Sequence, residues 1–140
     1  MGKNYHGVQY NPTPTIVEEC GMDIADVRNR IMKYDANGKF VLATAGTDMP
    51  IGVATIEEGW NDITGETSGK VTAGEDVSVY IKDMCVVMAG AEIKKGQEIA
   101  AGADGLAAVA VSGNYVLGIA TNDAQANGYV KVLINKYQKA

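Results

Sequence analysis

The sequence predicts a mainly β fold: a compact antiparallel domain of β-barrel or β-tulip type, built from two pseudo-repeats, with an extended N-terminal arm. Three observations carry this prediction. Nearly the same pentapeptide closes two apolar strands, Ile51-Gly52-Val53-Ala54-Thr55 and Leu117-Gly118-Ile119-Ala120-Thr121. The flanks repeat with it. Asp35-Ala36-Asn37-Gly38 is echoed by Gly102-Ala103-Asp104-Gly105, and Val77-Ser78-Val79-Tyr80-Ile81 by Val130-Lys131-Val132-Leu133-Ile134. Finally, 17 glycines, 6% aromatic residues and an apolar set dominated by Val, Ile and Ala suit short strands and tight turns better than long helices. The repeats span about 24–81 and 91–134 within a β-rich domain at 23–140.

Residues 1–22 read differently. Pro12 and Pro14 each remove a backbone donor and bias the preceding residue toward extended geometry, so the segment is expected to be an arm without a partner strand. Tyr5, Val8, Tyr10, Ile16 and Val17 make it stickier than a solvating tail, and an arm of this kind either frays or becomes ordered on a partner. Residues 23–34 admit two readings. Asp23 could cap a helix with Ile24, Val27 and Ile31 on one face. The repeat aligns the stretch with 91–101, however, where Gly96 disfavours a helix, so a turn over Asp26–Asn29 and a strand over Arg30–Tyr34 are expected.

Asn37-Gly38 then signals a type I′ hairpin, because both central residues of that turn need positive φ. A two-residue loop would pair Ala36 with Lys39, Tyr34 with Val41 and Met32 with Ala43. The next strand is Pro50–Ile56. In the second copy, Asp104-Gly105 turns between Glu98–Ala101 and Leu106–Ser112; Ser112-Gly113-Asn114 leads into Tyr115–Thr121, and Asn127-Gly128 into the final strand. The copies differ in one respect. The path from the pentapeptide to the closing strand is twice as long in the first, and the surplus falls in 57–73 around Trp60. Long insertions in tight β-units are surface loops and often functional.

At 140 residues the chain suits one domain burying roughly 68–70% of its unfolded surface. The net charge of −5 argues against nucleic acid, whose phosphates are neutralised by Lys and Arg. No apolar run approaches the ~18 residues that span a bilayer, and Met1–His6 has the character of neither a signal peptide nor a myristoylation site. Cys20 and Cys85 are expected to be free thiols of a reducing compartment.

No chemistry stands out. His6, the single histidine, lies in the arm, where no imidazole is held rigidly enough for a catalytic pair. One His and two distant Cys do not make a zinc site. The Asp35–Gly38 stretch lacks the further oxygen ligands of a calcium loop. The acid pairs Glu57-Glu58 and Glu75-Asp76 sit in predicted loops. The expectation is a chain with no catalytic residues, no metal and no cofactor, which is not an enzyme.

One pattern does resemble a known family. Asp35–Ala43, then Met49-Pro50-Ile51-Gly52-Val53-Ala54, then Ala73-Gly74-Glu75-Asp76-Val77-Ser78-Val79 is similar to the capsid decoration (head-stabilising, or cement) proteins of tailed bacteriophages. The pattern recurs from Ile93-Lys94-Lys95-Gly96-Gln97 through Leu117-Gly118-Ile119 to Val130-Lys131-Val132, covering about residues 24–134. Val27-Arg28-Asn29-Arg30 departs from it. The resemblance implies a non-enzymatic structural protein, made in the host cytoplasm and docked on the outer capsid surface of the virion. Its partner would be the major capsid protein, it would form a homo-oligomer with a trimer favoured, and neither nucleic acid nor membrane would be involved. The implied contact residues lie in the arm and the insertion: Tyr5, Val8, Tyr10, Ile16, Val17 and Trp60. Two other readings remain. Ile93–Ile99 looks like part of a biotinyl or lipoyl carrier domain, although neither Lys33 nor Lys82 has the usual context. A glycan-binding β-module could instead use Trp60.

Overall fold

The computed structural model describes residues 13–59 and 68–140. Among them are ten strands: β1 (Thr15–Glu19), β2 (Ile31–Tyr34), β3 (Phe40–Leu42), β4 (Gly52–Ala54), β5 (Asp76–Tyr80), β6 (Met84–Met88), β7 (Glu98–Ala101), β8 (Ala107–Val109), β9 (Tyr115–Ala120) and β10 (Tyr129–Gln138). The expected antiparallel β class is observed, but not a closed barrel. The strands form two open five-stranded sheets, ordered β1-β5-β4-β2-β3 and β6-β10-β9-β7-β8. The two edges of each sheet are joined by an isolated bridge rather than a ladder, with Gly21 N–H donating to Phe40 O in the first and Gly90 N–H to Ala107 O in the second.

The two orders are the same order. β1 through β5 map onto β6 through β10, and even the isolated bridges recur, Cys20–Phe40 as Ala89–Ala107 and Ile24–Val71 as Ile93–Ala124. The duplication therefore begins earlier than residue 24. The segment expected to be a free arm to residue 22 supplies β1, which pairs with β5 from Thr15↔Tyr80 to Glu19↔Asp76. Pro14 ends that pairing, its carbonyl accepting from Ile81 N–H. Residues 1–12 lie outside the described residues.

The turn over Asp26–Asn29 and the following strand form as expected. The Asn37-Gly38 hairpin differs by one residue: Tyr34 pairs with Phe40 and Met32 with Leu42. The cause is Asp35, whose carboxylate accepts from the N–H groups of Asn37 and Lys39, while Gly38 N–H donates to Asp35 O. Only Gly38 has positive φ, at 76°. This is a three-residue loop ending in a left-handed glycine. The shift puts Phe40 beneath Tyr34, ring centroids 5.1 Å apart. The positive-φ pair of a type I′ turn occurs instead at Asp104 and Gly105.

Strand alternation gives each sheet an inner and an outer face. The inner face of the first carries Met32, Phe40, Ala54, Val77 and Val79, closed over by Cys20, Ile24, Val27 and Val71. The second repeats this with Ile99, Ala107, Ala120, Val130 and Val132 beneath Ala89, Ile93 and Ala124. That second core also takes in Ile31, Ala43 and Val53 from the outer face of the first sheet, packed near Cys85 and Val87 of β6. The repeats thus stack outer face to inner face. Backbone contacts clamp the joint: Met88 N–H donates to Asn29 O, Tyr115 N–H to Gly46 O, and Gly105 approaches Ile31 O too closely for a Cβ. Gly52 and Gly118 are needed inside the sheets, where a Cβ would lie 1.9 Å from Tyr80 O and 2.1 Å from Leu133 O.

Candidate interaction surface

Strand β6 reads Met84-Cys85-Val86-Val87-Met88, apolar on both faces. Cys85 and Val87 enter the core, and Met84 and Val86 point the other way. Across from them on β10 stand Leu133 and Lys131, with Tyr129 opposite Met88. Tyr129 and Leu133 are half exposed while Val130 and Val132 between them are buried. A solvent-facing side of an antiparallel sheet is ordinarily polar. Here it carries Met, Val, Tyr and Leu, the kind of contiguous apolar patch that marks an interaction site.

Where this face meets the first sheet it closes into a cavity of about 590 Å³, lined mostly by apolar groups including Ile56, Tyr80, Met84, Val86 and Tyr129. Asn29 is also part of its lining. It is 6% exposed with φ at 56°, and its Nδ2 donates to Val86 O at 2.9 Å. Asn tolerates that left-handed geometry better than most residues, so one side chain both turns the chain and holds β6 in place. Lys131 lines the cavity as well. On the same side, burial pushes the Glu58 carboxyl up, against the pull of the Ser78 amide that donates to it at 2.8 Å. The Cys85 thiol at the cavity wall is pushed up to about 12 by burial, which leaves it protonated and inert as a nucleophile.

The base of the 57–73 insertion lies beside this cavity through Ile56. Its two ends are clipped together, Gly69 N–H donating to Gly59 O at 2.9 Å, with the backbones too close for a Cβ at Gly59. Of the contact residues expected from sequence, Tyr5, Val8, Tyr10 and Trp60 lie outside the described residues. Ile16 packs half-buried against the first core, and Val17 is exposed on the opposite face of β1. Sequence reasoning missed Ile56, Tyr80, Met84, Val86, Tyr129 and Leu133. The available signal was a five-residue apolar strand with no polar alternation, at 84–88. Both cysteines are free and buried. Lys33, considered as a carrier lysine, lies within β2 with its Nζ 2.9 Å from Asp48. Among the described residues no cluster of His, Cys, Asp and Glu could hold a metal ion, and no helix is long and apolar enough to cross a membrane.

No family model matches this chain, and no curated protein matches it. Among solved structures, the crystal structure of the head fiber gp8.5 N base in bacteriophage phi29 is similar to it, with a TM-score of 0.63 at 22% identity. The match covers 86% of this chain and 92% of that chain. The two share a fold.

Proposed function

We propose that this chain is a non-enzymatic structural protein of a phage head, which binds the outer surface of the capsid and stabilises it. The observation that supports this most is the shared fold with the phi29 head fiber base, matched over nearly the whole of both chains. The resemblance of the strand-and-turn pattern to capsid decoration proteins points the same way. The partner is the major capsid protein, met by the exposed face of β6 and β10 and by Tyr5, Val8, Tyr10 and Trp60, with the chain acting as a homo-oligomer. An apolar patch with a cavity at its centre suits such docking, since buried aromatic and aliphatic anchors carry most of the energy of protein interfaces.

Co-sedimentation with expanded heads of the phage that encodes the chain tests the proposal. The full-length protein is expected to pellet with heads, and heads carrying it to withstand heating better than bare heads. Val86→Lys with Leu133→Lys is expected to abolish pelleting, and deletion of residues 2–12 to weaken it. Failure of the full-length protein to pellet sinks the capsid reading. Normal pelleting of the lysine variant removes the β6–β10 face from it.

A further inference from the structure

The joint between the repeats could in principle continue from one molecule to the next. We infer that Glu18 and Glu98 prevent this, keeping a repeat-on-repeat contact inside a single chain.

Equivalent positions in the two repeats are fixed by backbone pairing. Asn29 N–H donates to Ala54 O, and Gly96 N–H to Ala120 O. Ile31 pairs with Val53, and Glu98 with Ile119. Glu18 pairs with Val77, and Val87 with Val130. The outer face that the first sheet offers to β6 therefore has a counterpart on the second sheet, and β6 has a counterpart in β1. A second copy placed by the same relation would set its β1 on the outer face of β7 and β9.

Three of the side chains that make the internal joint are absent from that outer version. Asn29, whose amide reaches Val86 O, is replaced by Gly96. Ile31 and Val87, both fully buried in one apolar cluster, are replaced by Glu98 and Glu18. A second copy would drive two carboxylates into the place of two aliphatic side chains. Buried charge without a partner is strongly unfavourable, and here the nearest new neighbour carries the same sign. Glu98 is satisfied where it stands, pairing with Lys139 Nζ at 2.8 Å and accepting from Tyr137 Oη at 2.5 Å. Glu18 lies beside Tyr34 and already has one carboxylate oxygen buried without a hydrogen-bond partner, so a second copy would bury it further still. Outer-to-inner contacts are heterologous, and when such contacts do not close into a ring they run on as filaments. Charges placed on sheet faces and edges are a known safeguard against that outcome. The inference stands apart from the phage-head reading.

Light scattering over a concentration series tests it with full-length variants whose folding is checked by circular dichroism. E18V/E98I is expected to form species that grow with concentration beyond the mass of the wild-type chain. A mixture of the single variants E18V and E98I, each with one restored face, is expected to associate more than either alone. The control E19V/E98I puts the apolar residue on the opposite face of β1 and is expected to keep the wild-type mass. Adding G96N, at a φ of 90° that Asn tolerates better than most residues and where a Cβ meets open space, should lower the concentration for half-association at least tenfold. A folded E18V/E98I that keeps the wild-type mass throughout overturns the inference, as does equal association of E19V/E98I. Should the apolar pair not fold, E18Q/E98Q removes the charge with little change of shape and is read on the same terms.

Discussion

The two repeats lay down their strands in one order but finish in different surroundings. Ile31, on the outer face of the first sheet, is fully buried by the second repeat, whereas the outer face of the second sheet leaves Leu133 49% exposed. The sheets are maintained by the same devices in both copies: a glycine where strands approach closely, an alternating Val pair on the closing strand, and a bridge that ties the entry loop to the sheet. The faces are not maintained in common. Duplication thus copies the sheet, and a handful of outward-facing side chains then decides whether a face is joined to its neighbour or left exposed.

Breaking the shared part should have the largest effect. Gly52→Ala and Gly118→Ala each place a methyl group against a carbonyl of the adjacent strand. Each is expected to cost upward of about 4 kcal/mol in urea unfolding, because neither backbone can withdraw. A large cost at one glycine with tolerance at the other would show that the repeats are not equivalent at their centres. The joint comes next. Ile31→Ala removes a buried branched side chain from the cluster shared by both sheets and should cost about 3 kcal/mol. Glu98→Ala, at the matching position, should produce no comparable loss in the same assay.

A smaller effect separates the two roles of Asn29. Asn29→Gly, which imitates Gly96, keeps the left-handed turn and loses the bond to Val86 O, for about 1 kcal/mol. Asn29→Ala loses the bond and adds left-handed strain, for about 1–2 kcal/mol more. Equal costs would mean that the conformation contributes nothing.

The smallest effect is on titration. Asp48 caps its loop by accepting from Thr44 N–H at 2.8 Å, and in the second repeat Asn114 does so for Val111 N–H at 3.0 Å. Burial raises the Asp48 pKa, but the Thr44 amide and hydroxyl together with the Lys33 ammonium outweigh it, so the carboxyl sits below its ordinary value. A lowered folded pKa means that the contribution is present above the unfolded pKa and lost as pH falls through the folded one. On acidification the Thr44 amide resonance should therefore move with a midpoint below 3.8, while that of Val111, capped by an amide, stays still. Movement of both would point to general loosening rather than to one carboxylate.

Eight of the ten strands were legible in the sequence, because a turn signal or the repeated pentapeptide framed each of them. The two that were missed, β1 and β6, are the same strand in the two copies. Each pairs only with a strand distant in sequence, β1 with β5 and β6 with β10. Thr15–Glu19 follows two prolines, which disguised it as an arm. Met84–Met88 follows Lys82-Asp83, where an aspartate rather than a glycine takes the positive φ of 66°. Missing β6 also hid the candidate surface, since Met84 and Val86 look like core residues until their strand is known to lie at an edge. The hairpin register failed for a local reason: the Asp35 carboxylate, not Asn37-Gly38 alone, selects the loop length.

The glycine clip beneath the insertion has a use beyond this chain. Gly59 and Gly69 are joined backbone to backbone and braced by Val27 N–H, which donates to Gly69 O. The distance between the two ends is therefore set by the scaffold and not by what connects them. Closing a longer flexible segment across fixed ends costs only about 0.6 kcal/mol for each doubling of length. Foreign peptides grafted between these glycines would leave the sheets unstrained, which makes the clip a ready-made anchor for displayed sequences.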